Sequence, residues 1–203
     1  VKFFAVPNTG YHLWYWWDAI SETDQGNSNP YQITRVTGNE DLSANFEANQ
    51  YTVTFNATTN GGTLSGSSTK TVTYGSTYGT LPSATKTGST FTGWYTSASG
   101  GTKITSSSTV SITSNQTLYA QFSAIPYTMS AYVSDSSWGT VYIKNVTRNT
   151  TSQTGTNVSL TAYVGDTVRF YATANTGYHF WYWWDSVSET DAGTSNPNQI
   201  TVV

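Results

Sequence analysis

The sequence predicts an all-β, or at least β-dominated, fold assembled from small tandem units. Three observations support this expectation. A long segment recurs within the 203 residues, short β-branched and aromatic runs alternate with Gly, Asn and Ser, and no amphipathic helix of useful length is found. The best helical candidate is a single turn at 81–86. These patterns are typical of chains made of short strands joined by tight turns.

Predicted strands follow one another along the whole chain. In the first part they begin at Val1, Tyr11, Gln32 and Leu42. Each later run is rich in the residues that favour strands and is bounded by residues that favour turns. These later strands are predicted at 51–56, 69–74, 110–113, 118–122, 127–133, 158–164 and 168–174.

Composition narrows the possible functions. Charged residues make up 9% of the chain, where about 25% is usual, but aromatics reach 15%, so the low charge does not indicate disorder. A thinly spread net charge of −3 argues against nucleic acid as a partner. The absence of Cys excludes disulfides, thiolate metal sites and thiol nucleophiles. No apolar run in this sequence is long enough to span a membrane.

The two ends of the chain are copies of one segment. Residues 1–36 recur as 168–203 at an offset of about 167, with roughly two thirds of the positions identical. Shorter similarities link the ends to the middle, where TGSTFTGWYT at 87–96 is similar to TGYHLWYWWD at 9–18, and LYAQF at 118–122 to LSANF at 42–46. This phasing predicts the closing part of a divergent β-repeat at 1–50, a complete repeat at 51–123, and a divergent repeat that lacks its last strand at 124–203.

The middle residues resemble a known family. YTVTFNATTNGG, VTYGSTYGTLPSATKTGSTFTGWYTSASGGTKI and LYAQF occur in that order between 51 and 122 and are similar to the Listeria–Bacteroides repeat, also called the internalin B-repeat. The flanking GDTVRFYATANTGYHFWYWW, SNPNQITV and LSANF resemble divergent members of the same superfamily. The resemblance implies β-grasp-like units in an extended array on bacterial surface proteins, and it supplies no catalytic motif.

Each WYWWD segment contains more rings than one strand face can bury. In a regular strand Leu13 and Trp16 would face opposite sides. The resemblance makes both of them core positions, so we expect an irregularity between them. It also implies a small residue and Gly before the core Trp, as at Thr92 and Gly93, where the flanking units instead have Trp14 with Tyr15 and Trp181 with Tyr182.

The surplus rings need another surface to cover them. They are Trp14, Tyr15 and Trp17, with their copies Trp181, Tyr182 and Trp184. The leading interpretation is contact with the adjacent repeat, because modules of an array bury in a neighbour what one module cannot cover alone. A platform on which sugar rings stack and ordinary core packing are the alternatives.

An acidic loop follows each WYWW segment. Its carboxylates are Asp18, Glu22 and Asp24, copied as Asp185, Glu189 and Asp191. Oxygen ligands at short spacing suit Ca²⁺, but the spacing differs from that of an EF-hand loop. Zinc is not supported, since the chain has no Cys and only two His. We therefore expect a solvated loop, no metal site, no catalytic residues and no cofactor.

These patterns together predict a non-enzymatic, repetitive bacterial protein of the extracellular space or cell surface. It is expected to form an adhesin stalk or filament from head-to-tail β-repeats, with neighbouring copies or repeats of itself as partners and host or matrix glycans or proteins as further candidates. Either the natural chain is expected to continue on both sides with the same period of about 167 residues, or the two ends of neighbouring copies are expected to complete one another. The alternative is a glycan-binding module that uses exposed WYWW rings.

Overall fold

The computed structural model describes residues 1–203 and confirms the all-β class. The only helix is one 3₁₀ turn at Thr58–Asn60. No helix is long and apolar enough to cross a membrane. The chain divides into two compact units, Val1–Lys86 with Phe91–Phe122 and Thr87–Thr90 with Ser123–Val203.

The first copy (residues 1–50) opens the first unit with two small sheets. Its strands are β1 (Lys2–Phe3), β2 (Tyr11–Asp18), β3 (Thr23–Asp24), β4 (Tyr31–Gln32) and β5 (Leu42–Ala48). The larger sheet has the order β3-β2-β5, and β1 pairs with β4. Only Ala5, Leu13 and Trp16 form its buried core. The long strand β2 therefore supplies most of the apolar contact in this part of the chain.

The middle repeat (residues 51–123) is built on a five-stranded sheet of order β11-β10-β12-β6-β8. The central pair, β6 and β12, is parallel, whereas β6 and β8 are antiparallel. A separate two-stranded sheet joins β7 and β9. The strands are β6 (Gln50–Asn56), β7 (Thr63–Ser65), β8 (Thr69–Thr73), β9 (Ser83–Thr85), β10 (Ser89–Tyr95), β11 (Lys103–Ile104) and β12 (Gln116–Ala124).

Alternating residues explain the core of the middle repeat. In β6 every second side chain points inward, which buries Val53 and Phe55. Trp94 and Leu118 are also buried, and the ring of Phe55 meets that of Trp94 edge-on at 4.9 Å between centroids. The Trp94 indole N–H donates to the carbonyl of Pro82 at 2.8 Å, which satisfies the one polar group of this ring.

The second copy (residues 124–203) makes up most of the second unit. Its main sheet has the order β15-β14-β17-β20, and two-stranded sheets join β13 with β16 and β18 with β19. The strands are β13 (Tyr127–Tyr132), β14 (Gly139–Asn145), β15 (Thr150–Thr151), β16 (Asn157–Ala162), β17 (Thr167–Ala174), β18 (Trp183–Asp185), β19 (Thr190–Gly193) and β20 (Asn198–Thr201). Val141, Ile143 and Val168 lie at the centre of its core.

One polar cluster is buried beside this core. The carboxylate of Asp166 accepts hydrogen bonds from Asn145 Nδ2 at 2.7 Å, Arg148 Nε at 2.6 Å and the backbone N–H of Tyr163 at 3.0 Å. Asn145 and Asp166 are both buried. The guanidinium of Arg148 also lies 4.2 Å from the centre of the Tyr163 ring. A buried carboxylate with three donors holds together the segments that supply them.

Two local predictions are wrong. Residues 110–113 do not form a strand; the buried Val110 instead bonds through its backbone to Gly75 and Ser76 in a loop. The candidate helical turn at 81–86 instead contains β9, because Ala84 packs into the core when the chain there is extended. In both places tertiary burial decides the backbone conformation, and the local pattern alone does not.

Candidate binding surface: the tryptophan hairpins

The repeated aromatic segments form two tryptophan hairpins, residues 11–24 and 178–191. The first joins β2 to β3, and the second joins β18 to β19. In the first turn the carboxylate of Asp18 accepts hydrogen bonds from the Ile20 N–H and the Ser21 hydroxyl, at 2.9 and 2.7 Å. Glu22 takes the left-handed conformation, with φ of 54°. These local bonds explain why the chain reverses direction directly after each WYWWD segment.

An irregularity in β2 places two residues in the core that strict alternation would separate. Its pairing with β5 shifts register between Leu13 and Tyr15, so that Trp14 has no partner across the ladder. Leu13 and Trp16 are both buried as a result. The predicted irregularity is confirmed, and it follows from the one extra residue that a β-bulge inserts in one strand.

The core tryptophan is held in the same way in both hairpins. The indole N–H of Trp16 donates to the carbonyl of Ser28 at 3.0 Å, and that of Trp183 donates to Ser195 at 3.1 Å. The next residue, Asn29, exchanges two hydrogen bonds with the backbone of Ala5. Asn196 repeats this exchange with Ala172. The recurring Ser-Asn-Pro segment thus fixes the core ring and bonds to the chain just after β1 in the first copy and to β17 in the second.

The surplus rings lie toward solvent. Trp14 is 55% exposed and Trp17 37%, and the ring of Trp14 meets that of Tyr15 edge-on at 4.8 Å. In the second hairpin Trp181 and Trp184 are 74% and 54% exposed, and Tyr182 is also exposed. Five of the six predicted binding residues are exposed and Tyr15 is half-buried, and in each hairpin the ring of Trp14 or Trp181 contacts the ring of the following Tyr.

Aspartates of the acidic loops accept hydrogen bonds that stabilise the turns. Asp24 accepts a hydrogen bond from the Gly26 N–H at 2.7 Å, and Asp191 accepts one from Gly193 at the same distance. Hydrogen bonds from Ser21 and from the Ile20 N–H lower the pKa of Asp18 below its usual value. The Val187 N–H and the hydroxyl of Ser188 do the same for the pKa of Asp185. No three acidic or His side chains of the chain come together in a group that could hold a metal ion.

Sequence reasoning missed the ring that contacts the adjacent repeat. Tyr11, at the start of β2, packs edge-on against Tyr74 of the middle repeat with 5.8 Å between ring centroids. Beneath that ring lies Gly10, with φ of 84°. The sequence held no signal for this contact, since the same Gly-Tyr pair recurs at Gly177 and Tyr178, where a Cβ on the glycine would meet nothing within 4 Å. The inter-repeat role predicted for Trp14, Tyr15 and Trp17 stays a prediction.

Two protein-family models match the chain. The model of the divergent InlB B-repeat domain matches residues 1–50 and 130–203. The model of the Listeria–Bacteroides repeat domain matches residues 51–121. No significant match is found among curated proteins or among solved structures. The resemblance seen in the sequence is thereby confirmed for both kinds of repeat.

Proposed function

The chain belongs to the divergent InlB B-repeat domain family, with a Listeria–Bacteroides repeat domain between its two copies, and we propose from this that it is a structural, non-enzymatic module of a bacterial surface protein. In this proposal the repeats are extracellular and form an adhesin stalk or filament. The partners are neighbouring repeats or copies of the same chain, arranged head to tail.

The joint between the first copy and the middle repeat is the observation that supports this function most. Only Asn49 separates β5 from β6. Its N–H donates to the Gly10 carbonyl at 2.8 Å, and its carbonyl accepts from the Tyr74 N–H at 2.9 Å. Backbone bonds on both sides of a one-residue link, together with the Tyr11 and Tyr74 contact, oppose rotation at the joint. Resistance to bending is the mechanical property that a stalk needs.

Cell-surface exposure and joint stiffness test the proposal. We expect antibodies against the 203-residue chain to label intact producing cells. We also expect small-angle scattering to show a broader range of particle dimensions when Gly-Ser-Gly-Ser is inserted between Asn49 and Gln50. The matched control carries the same insertion in the exposed loop after Gly100. Labelling only after cell lysis, or equal scattering from both variants, would contradict the stalk.

Glycan binding is a second candidate function, because the tryptophan hairpins expose flat indole surfaces. Trp14 and Trp181 belong to neither buried core, so a sugar could stack on them without unfolding a core. If they bind sugar, a polysaccharide panel should shift the tryptophan emission, and Trp14→Ala with Trp181→Ala should abolish the shift. Tyr132→Ala, at an equally exposed ring outside the hairpins, is the control. A shift that survives the double substitution would exclude this site.

A further inference from the structure

The outer face of the main sheet in the second copy carries two cations that lie opposite each other. Lys144 of β14 pairs across the ladder with Arg169 of β17. Side chains alternate along β14, where Val141 and Ile143 are buried, so Lys144 lies on the face away from the core. Like charges at opposing positions of two strands destabilise a sheet. Because the whole chain has only eight Lys and Arg residues, a basic composition does not explain this pairing.

No carboxylate of the chain neutralises these two cations. The only ion pair of a Lys or Arg joins Arg148 to Asp166. Arg169 instead donates from Nε to the neutral amide oxygen of Gln199 at 2.8 Å. This bond orients the guanidinium and leaves its two terminal nitrogens for another acceptor. The other outward residues of β14, β15, β17 and β20 are Thr, Tyr and Gln, so none of them is charged.

A stacked pair of aromatic rings adjoins the cations. Tyr142 and Tyr171 also lie opposite each other, and their rings are parallel within 3° with 4.4 Å between centroids. They stand two residues along the same strands, which is about 7 Å from the cations. All four side chains are half-buried by their neighbours, and none belongs to the core cluster. Tyr142, Lys144, Arg169 and Tyr171 therefore form one cationic face on the outside of the sheet.

The positive charge recurs at the same position of the first copy. Lys2 corresponds to Arg169 at the repeat offset, and it lies opposite Gln32 as Arg169 lies opposite Gln199. In both copies an aromatic residue follows two positions later. The two copies thus keep a cation at this position although they differ in which cation it is, which indicates a role for the charge.

We propose that the cationic face binds an acidic polysaccharide, with the two cations on its carboxylates and the two tyrosines beside its sugar rings. The terminal nitrogens of Arg form paired hydrogen bonds with a carboxylate. Tyr combines an apolar ring with a hydroxyl, and both suit a sugar. Carboxylates of the ligand also offset the repulsion between the opposing cations. A neutral sugar matches only the tyrosines and an acidic peptide only the cations, so the combination favours a polymer of acidic sugars.

Calorimetric titration of the full chain with a galacturonic acid oligosaccharide tests the site. We expect saturable binding that weakens as salt is added, and no binding of the methyl ester, which keeps the sugar rings but lacks the charge. Lys144→Gln combined with Arg169→Gln should weaken binding about tenfold or more. Its melting temperature should not fall, because the substitutions remove a repulsion. Arg35→Gln combined with Lys103→Gln, which removes the same charges from exposed positions of the first unit, is the matched control and should bind normally.

Four results would overturn the proposal. They are no saturable binding of the acidic oligosaccharide, equal binding of its methyl ester, equal loss of affinity in the matched control, and equally tight binding of an oligoglutamate peptide, which would indicate a site for acidic proteins. The cationic face shares no residue with the tryptophan hairpins, so Trp14→Ala with Trp181→Ala should leave this binding unchanged. Failure here would likewise leave the surface-labelling and scattering results unaffected.

Discussion

Asp166 shows how one side chain can organise its surroundings. Burial would raise the pKa of its carboxyl, but hydrogen bonds from Asn145, Arg148 and the Tyr163 N–H, with the charge of Arg148, hold the pKa below its usual value. A carboxyl with a depressed pKa stabilises the fold fully above its unfolded pKa, about 3.9. That stabilisation is lost as pH falls through the lower pKa of the folded state.

Substitution of Asp166 should therefore have a pH-dependent effect. We expect Asp166→Asn to reduce the free energy of unfolding at pH 7 by about 1–3 kcal/mol, because buried donors lose their acceptor. The difference from the unmodified chain should shrink as pH falls below about 4, where the unfolded carboxyl becomes protonated, and should be smallest once the folded carboxyl is protonated as well. Urea titrations followed by circular dichroism between pH 7 and pH 2 measure this.

The control for this substitution is Glu189→Gln, at an exposed position of the second copy. It should change the free energy of unfolding by less than about 0.5 kcal/mol. A constant difference between Asp166→Asn and the unmodified chain at every pH would show that the carboxylate charge is not what stabilises this cluster.

At the scale of elements, the two copies allow one contact to be isolated. Gly10 and Gly177 occupy the same position before each tryptophan hairpin, with φ of 84° and 90°. A Cβ at Gly10 would overlap the Tyr74 ring, whereas a Cβ at Gly177 would meet nothing within 4 Å. Both glycines therefore need the left-handed backbone conformation. Only at Gly10 does the neighbouring repeat also approach closely.

Alanine at these two glycines should have unequal costs. Gly177→Ala should destabilise its unit by about 1 kcal/mol, because the left-handed conformation is strained for Ala. Gly10→Ala should cost about 1–3 kcal/mol more, because Tyr74 must move. Chemical denaturation monitored by hydrogen exchange in each unit compares them. Equal costs would mean that the Tyr11 and Tyr74 joint gives no stability.

Strands were predictable where their pattern was local. The strands at 51–56, 69–74, 118–122 and 168–174 were predicted within a few residues of β6, β8, β12 and β17. β14 was not predicted, because its inward positions include Gly139 and Asn145, which do not signal burial. Asn145 is tolerated inside only because Asp166, 21 residues away, accepts its hydrogen bond.

The residues of the candidate surface could be predicted from the sequence, but the extent of their exposure to solvent could not. The surplus rings could be recognised because the assignment of Leu13 and Trp16 to the core left Trp14, Tyr15 and Trp17 without a place in it. Their different exposure in the two copies could not be read from 11–18 and 178–185, since these segments are almost identical. It depends on whether β5 or a counterpart pairs with them, which is a tertiary property.

At the scale of the whole molecule, the buried apolar residues are distributed unevenly among the parts of the chain. The middle repeat buries ten hydrophobic residues in one cluster, and the first copy buries three. A core of three residues cannot offset the conformational entropy lost when about fifty residues become ordered. The first copy should thus depend on its neighbour, while the middle repeat can stand alone.

The predicted domain boundaries can be tested by expressing these parts alone. We expect residues 50–124 to show a cooperative thermal transition by circular dichroism, although a domain of this size is only marginally stable. Residues 1–50 alone are the matched control and should show no transition. A disordered spectrum from residues 50–124 would mean that the boundaries are wrong or that the neighbours are obligatory.

The indole hydrogen bonds of the core tryptophans also provide built-in reporters. Trp16, Trp94 and Trp183 each donate to a carbonyl twelve residues away, in the first copy, the middle repeat and the second copy respectively. Each indole N–H gives its own proton resonance, distinct from the backbone amides. Once these three are assigned among the eight indole signals, the order in which they fade in heavy water ranks the local stability of the three parts within one intact chain.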